Sequence, residues 1–148
     1  MNSYLPLKTQ IQRRTELYSI HRETHRENFS SEGAWIGPFA RDNVAHSREW
    51  LWHAIAFLDG DEQDAALGTT LITATPNMPN HFNSLTAAQI LLHYHDVVTD
   101  QARNYLIRLM NDGMAESVDF SLAITGVNNF SAMRALLFCN SVAGARPV

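Results

Sequence analysis

Residues 50–74, WLWHAIAFLDGDEQDAALGTTLITA, decide the fold of this chain, because two apolar segments flank Asp59-Gly60-Asp61. Glycine is common just past the end of a helix, and aspartate is a preferred N-cap of the next one. The stretch therefore predicts a helical hairpin, with one helix over 43–58 and a second over 61–73. The run LITAT at 71–75 could form a strand, but its helical context favours the hairpin.

The remaining segments also predict helices. Apolar residues recur at helical spacing between charged ones, and the run TPNMPN at 75–80 breaks the pattern. Asn111-Asp112-Gly113 is expected to close a helix. Four further helices are predicted, at 7–29, 84–98, 99–114 and from 128 or 131 to 142. The predicted fold class is all-α: one domain over 1–148, with about six helices arranged as antiparallel helical hairpins.

Composition narrows the classes of partner. The 148 residues are 45% hydrophobic and 18% charged, with a formal net charge of −4, as in an ordinary globular domain with a core. The slight acidity and the near absence of lysine argue against nucleic acid and against a polybasic membrane surface. No apolar run approaches the roughly 18 residues of a membrane span, and the N-terminus lacks a signal-peptide pattern. We expect a cytoplasmic protein without a membrane partner, and the sequence predicts no cofactor.

The loop SSEGAWIGPFARDN at 30–43 carries the first candidate site. Glycine and proline serve its turns, but a turn does not require a tryptophan followed by a guanidinium and a carboxylate. An aromatic face beside charged groups suits a rigid polyhydroxylated ligand. We therefore predict that Trp35 stacks on a saccharide while Arg41, Asp42 and Asn43 hold its hydroxyls or a carboxylate. The alternative is that the two aromatic residues plug the end of a helix pair and that Arg41–Asp42 is a local ion pair.

The start of the second predicted helix adds polar and aromatic groups. His46 and Trp50 are four residues apart and share a face, as do Glu49 and His53. Asp42 and Glu49 would be about 10 Å apart in axial rise, which is at or beyond the carboxylate separation of inverting glycosidases and too long for retaining ones. We therefore interpret Asp42 as a carboxylate that accepts hydrogen bonds from sugar hydroxyls, and we include His46 in the site. The alternative is an ordinary buried helix with interfacial tryptophans.

Two further histidine pairs have competing interpretations. His21 and His25 have a spacing that can bind a metal, but Arg22 stands where the metalloprotease motif requires glutamate. We interpret that stretch as a solvated charged face and predict no metal site. His93 and His95 point about 200° apart on a helix, so they do not share one site. One of them could line a polar cavity, and a polar helix end is the alternative.

Three motifs carry a family resemblance. They are the Trp35-x5-Arg41-Asp42 loop, FNSLTAAQI at 82–90 with TDQAR at 99–103, and GVNNFSAM at 126–133. Because of these motifs, residues 30–148 resemble the N-terminal part of an α/α toroid. This is the fold of six-hairpin glycosidases and of chondroitin-, alginate- and heparin-type polysaccharide lyases.

The resemblance implies that Trp35, Arg41 and Asp42 contact sugar at one mouth of a helical barrel. It also implies that Asn129 is similar to the asparagine that neutralises a uronate carboxylate in the lyases. Phe130 follows instead of histidine, so the catalytic set of the family is incomplete here. A complete toroid has twice as many helices as this chain supplies. The resemblance therefore implies a half-toroid that pairs with another copy or with a complementary chain.

These observations support three functional hypotheses. The first is a carbohydrate-active domain, glycoside hydrolase-like or polysaccharide lyase-like, that binds an oligo- or polysaccharide. The second is a non-catalytic helical interaction or scaffold domain, anchored by Trp50 and Trp52, that oligomerises or pairs with another chain. The third is a small metal-dependent or phosphohydrolase-like enzyme that uses the histidines. The first hypothesis places the site at Trp35, Arg41, Asp42, Asn43, His46 and Asn129.

Overall fold

The computed structural model describes residues 6–38, 47–78 and 80–123. Within these ranges the chain is all-α, as predicted. The sixth predicted helix, from 128 or 131 to 142, lies outside them. The helices are α1 (Leu7–His25), α2 (Ser47–Leu58), α3 (Glu62–Ala74), α4 (His81–His93) and α5 (Asp100–Ala123), and a 3-10 turn over Arg26–Asn28 follows α1.

The hairpin predicted from residues 50–74 is confirmed, since α2 packs against α3. The Asp61 side chain accepts a hydrogen bond from the Asp64 backbone N–H at 2.9 Å and caps α3. The Gly60 N–H donates to the Phe57 carbonyl oxygen at 3.0 Å just past the end of α2. The second hairpin consists of α4 and α5, and contacts between α2 and α4 and between α3 and α5 join the two hairpins.

The two hairpins share one hydrophobic core. Removing a leucine, isoleucine or phenylalanine side chain fully from water stabilises the fold by about 1.5–3 kcal/mol. The Trp50 indole Nε1 donates to the Gly33 carbonyl oxygen at 2.9 Å, so its polar atom is satisfied inside the core. Among the residues that the structure describes, the largest fully buried apolar side chains are Trp50, Leu51, Phe57, Leu71, Ile72, Ile90, Leu106 and Leu109.

Helix α1 does not pack on the α2–α3 hairpin through the hydrophobic core, because none of its residues is buried. Arg22 Nε lies 3.3 Å from Asp64 Oδ2, and Arg22 Nη1 donates to the Ala56 carbonyl oxygen at 2.8 Å. Arg26 Nη2 donates to Asp64 Oδ1 at 2.5 Å. Asp64 is 4% exposed. Charge-assisted hydrogen bonds therefore hold α1 on the α2–α3 hairpin.

The boundaries of α4 differ from the predicted range 84–98. The helix begins at His81, because the Asn80 side chain accepts a hydrogen bond from the Asn83 backbone N–H at 2.9 Å and caps it three residues earlier. It ends just before Tyr94, whose backbone leaves the helical region at φ −129° and ψ 17°. His93 and His95, which were expected on one helix, are thus separated: His93 is the last residue of α4, and His95 lies in the following loop.

The prediction that α5 closes at Asn111-Asp112-Gly113 is wrong, since α5 continues to Ala123. A Cβ on Gly113 would fall on Ser84 Oγ and lie 2.8 Å from the Asn80 carbonyl oxygen. Gly113 therefore serves the close crossing of α5 over the start of α4. The glycine reflects a packing requirement and not a helix end.

Replacing Gly113 with alanine tests this crossing. In an open helix the change would stabilise by about 1 kcal/mol. Here the added methyl group collides with α4, and we expect the free energy of unfolding to decrease by about 1–3 kcal/mol, measured by urea denaturation. Asn111→Ala, at an exposed position of the same helix, is the control and should cause no loss. Equal or higher stability of Gly113→Ala would contradict the close crossing.

Candidate functional site

The loop between α1 and α2 is held in one conformation where the structure describes it. Phe29 and Trp35 form an antiparallel bridge, and the Ser30 N–H donates to the Ala34 carbonyl oxygen at 2.8 Å. Gly33 forms the turn at φ +77°, a left-handed conformation that favours glycine. The Gly33 carbonyl oxygen accepts the hydrogen bond from Trp50 described above. The core thus fixes the position of the loop.

Trp35, the first predicted site residue, lies half-buried at the C-terminal end of α1. Its ring centroid is 5.2 Å from that of Phe29, which it meets edge to face, and about 6 Å from those of His25 and His53. A Cβ on Gly37 would lie 2.7 Å from its Cε2 atom, so the loop backbone packs on the indole. Trp35 therefore closes the end of the α1–α2 pair and remains partly exposed.

The other predicted site residues fall in the parts of the chain that the structure does not describe. Their contacts with Trp35 stay predictions. They are Arg41, Asp42, Asn43, His46 and Asn129.

Three imidazoles meet beside Trp35 at the interface of α1 and α2. His21 Nε2 and His53 Nδ1 are 2.7 Å apart, so one ring donates a hydrogen bond to the other. The ring centroid of His25 lies 4.6 Å from that of His21 and 5.0 Å from that of His53. The Phe29 ring contacts His53 edge to face at 4.9 Å. We call His21, His25 and His53 the histidine cluster.

Sequence reasoning missed this cluster. It paired His21 with His25 on one helix and His53 with Glu49 on the other, because helical spacing reveals neighbours only within a helix. The contact between His21 and His53 requires α1 to lie along α2. One indication of the contact was present in the sequence. His21 and His53 each belong to a pair spaced four residues apart, and the two predicted helices that carry these pairs are consecutive in the chain.

Burial lowers the pKa of His21 below its ordinary value of 6.5, and the charges of His25 and Arg22 lower it further. Protonation of His21 is therefore unfavourable in the folded chain. A neutral imidazole has one nitrogen that donates and one that accepts a hydrogen bond. In the described ranges, no group of three or more His, Cys, Asp or Glu side chains could hold a metal ion. The 2.7 Å separation between His21 and His53 is that of a hydrogen bond.

Comparison of the chain with protein-family profiles, curated proteins and solved structures finds no significant match. Among the helices of the described residues, none combines the length and the apolar character that crossing a membrane requires.

The lowered pKa of His21 predicts a pH-dependent stability. Well above pH 6.5 His21 is neutral in both states and contributes no pH dependence. As the pH falls through 6.5, the unfolded chain takes up a proton that the folded chain resists, so the free energy of unfolding decreases. We expect urea denaturation between pH 7.5 and 5.5 to show this decrease and His21→Gln to weaken it.

Gly113→Ala is a suitable control for that experiment, because it changes stability without removing a titratable group. It should keep the pH dependence of the unchanged protein. An undiminished pH dependence in His21→Gln would show that His21 does not contribute to it.

Proposed function

We propose that this chain is a saccharide-binding helical domain whose site lies beside the C-terminal end of α1. The observation that carries the proposal is the half-buried Trp35, fixed next to His25 and Asn28. An exposed part of an indole gives a sugar ring an apolar surface, and imidazole and amide nitrogens exchange hydrogen bonds with hydroxyls.

The rigidity of this region supports the proposal. Asn28 Nδ2 lies 3.2 Å from His25 Nδ1, and the Asn28 carbonyl oxygen accepts a hydrogen bond from the Ile36 N–H at 2.8 Å. The loop bridge and the Trp50 hydrogen bond to Gly33 fix the same segment. A site that is ordered before binding loses little conformational entropy when the ligand arrives.

The proposed site extends into the segment that follows. Arg41, Asp42, Asn43 and His46 continue the loop that carries Trp35, and we propose that they complete the contacts to hydroxyls or a carboxylate. The resemblance to α/α toroids supports carbohydrate as the ligand class. It adds Asn129 as the proposed partner of a uronate carboxylate, in a glycoside hydrolase-like or polysaccharide lyase-like domain.

Trp35 and Trp52 provide a matched pair of variants for this proposal. We expect calorimetry to detect binding of a neutral or a uronic-acid tetrasaccharide by the unchanged protein. Trp35→Ala should weaken it at least tenfold, which corresponds to about 1.4 kcal/mol. Trp52 is 49% exposed on α2 and lies outside the proposed site, so Trp52→Ala should bind normally.

Trp35→Phe keeps an aromatic face and should retain part of the affinity, which separates lost stacking from a damaged fold. The proposal is contradicted if neither class of tetrasaccharide binds, or if both tryptophan variants bind as the unchanged protein does.

A second candidate function is a helical interaction domain, favoured by the apolar surface of α1. Its exposed fractions are 71% for Leu7, 65% for Leu17 and 60% for Ile20. Trp50 cannot serve as the expected interface anchor, because it is only 1% exposed. Trp52 remains available, with the Arg48 guanidinium 5.7 Å from its ring centroid. The saccharide titration separates the two functions, because an interaction domain of this kind requires no oligosaccharide.

A further inference from the structure

A cleft of about 170 Å³ lies between α1, α2 and α4, away from Trp35. Arg14, which lines the cleft, and His25, which lies beside Trp35, are separated along α1 by about 16 Å of helical rise. The cleft is smaller than the roughly 300–1,000 Å³ of drug-sized ligand sites, so it suits a small molecule. Its lining residues are Arg14, Tyr18, Ile55, Gln89, His93 and Tyr94.

The two tyrosine hydroxyls of the cleft are influenced by charges of both signs. The Tyr94 hydroxyl donates to Asp59 Oδ1 at 3.1 Å. Burial is the main reason that the pKa values of Tyr18 and Tyr94 are raised, and the negative charge of Asp59 raises both further. The positive charge of Arg14 acts on both in the opposite direction. The charges of a guanidinium and of a carboxylate therefore both act on the two hydroxyls, which stay protonated at neutral pH.

The two charges do not neutralise each other by direct contact. Within the part of the chain that the structure describes, Arg14 forms no hydrogen bond or ion pair, and Asp59 accepts a single side-chain hydrogen bond, from Tyr94. Arg14 comes from α1, whereas Asp59 follows α2, so the docking of α1 sets their separation. A ligand that enters the cleft meets the Arg14 guanidinium and the Tyr94 hydroxyl, and the Asp59 carboxylate lies 3.1 Å behind that hydroxyl.

We propose that this cleft binds a small zwitterion of the free amino-acid class. Its carboxylate pairs with the Arg14 guanidinium, which can bind both oxygens. Its ammonium group lies against the rings of Tyr18 and Tyr94, which attract cations, and is drawn further by the Asp59 carboxylate behind the Tyr94 hydroxyl. A short apolar substituent contacts Ile55. A neutral sugar ring would pair with neither charge, so the charge arrangement favours the zwitterion.

Glycine and valine are the probes that test this assignment, with two charge-deleted analogues as comparison. Valinamide lacks the carboxylate, and N-acetylvaline lacks the ammonium group. Calorimetry on the full chain should detect binding of at least one of the two amino acids and a loss of at least tenfold for both analogues. If neither amino acid binds at concentrations up to about 10 mM, the assignment is overturned. It is also overturned if either analogue binds as tightly as the amino acid does.

Arg13 and Arg14 are neighbours on α1 and provide matched variants, because only Arg14 lines the cleft. Arg14→Gln should weaken amino-acid binding at least tenfold, and Arg13→Gln should leave it unchanged. Asp59→Asn should also weaken it, provided that its thermal unfolding remains cooperative. Unchanged binding in Arg14→Gln would overturn the proposal even if Asp59→Asn does not fold.

The inference is independent of the saccharide site. Trp35→Ala should bind the amino acid as the unchanged protein does, and Arg14→Gln should keep the affinity for the tetrasaccharide. Binding of a neutral monosaccharide that competes with valine and is lost in Arg14→Gln would reassign the cleft to sugars and overturn the zwitterion.

Discussion

The ion pairs of the buried Asp64 carboxylate are the interaction on which the docking of α1, and with it the histidine cluster and the tyrosine cleft, depends. It receives Arg22 from α1 and Arg26 from the 3-10 turn that follows α1, while none of the α1 residues is buried. A buried carboxylate without its cationic partners is strongly destabilising, whereas a half-exposed partner such as Arg26 contributes little by itself. The pairing therefore sets where α1 lies more than it adds to the stability of the core.

This mode of docking explains why the functional groups collect along one helix. An apolar interface would have excluded water and polar side chains from the contact between α1 and α2. Because charges hold α1 instead, the interface has room for the histidine cluster at one end and for the tyrosine cleft at the other. The loop at Trp35 is fixed separately, through the Trp50 hydrogen bond to Gly33.

Local signals in the sequence were sufficient for the helical class and for the hairpin at Asp59-Gly60-Asp61, because helix caps and glycine turns act within a few residues. The same reasoning failed at Gly113, where a local turn signal was overridden by the close crossing with α4. Spacing also did not distinguish Trp50, which is buried, from Trp52, which is exposed. That difference depends on which face of α2 meets the other helices.

The candidate sites were only partly predictable for a related reason. The sequence identified Trp35 by the unusual composition of its loop, and the structure places it beside imidazoles that were assigned to separate helix faces. The contact between His21 and His53 and the opposition of Arg14 and Asp59 both join elements distant in the chain. No spacing rule reveals such pairs before the docking of α1 is known.

Hydrogen exchange of the unchanged protein and of Asp64→Ala tests this account most directly. The amides of α1 should lose protection in the variant, while those of α2 to α5 retain it, because their core lacks contributions from α1. Glu62→Ala, at an exposed position in the first turn of the same helix, should leave α1 protected. If α1 stays protected in Asp64→Ala, or if all helices lose protection together, the Asp64 contacts do not determine the docking of α1.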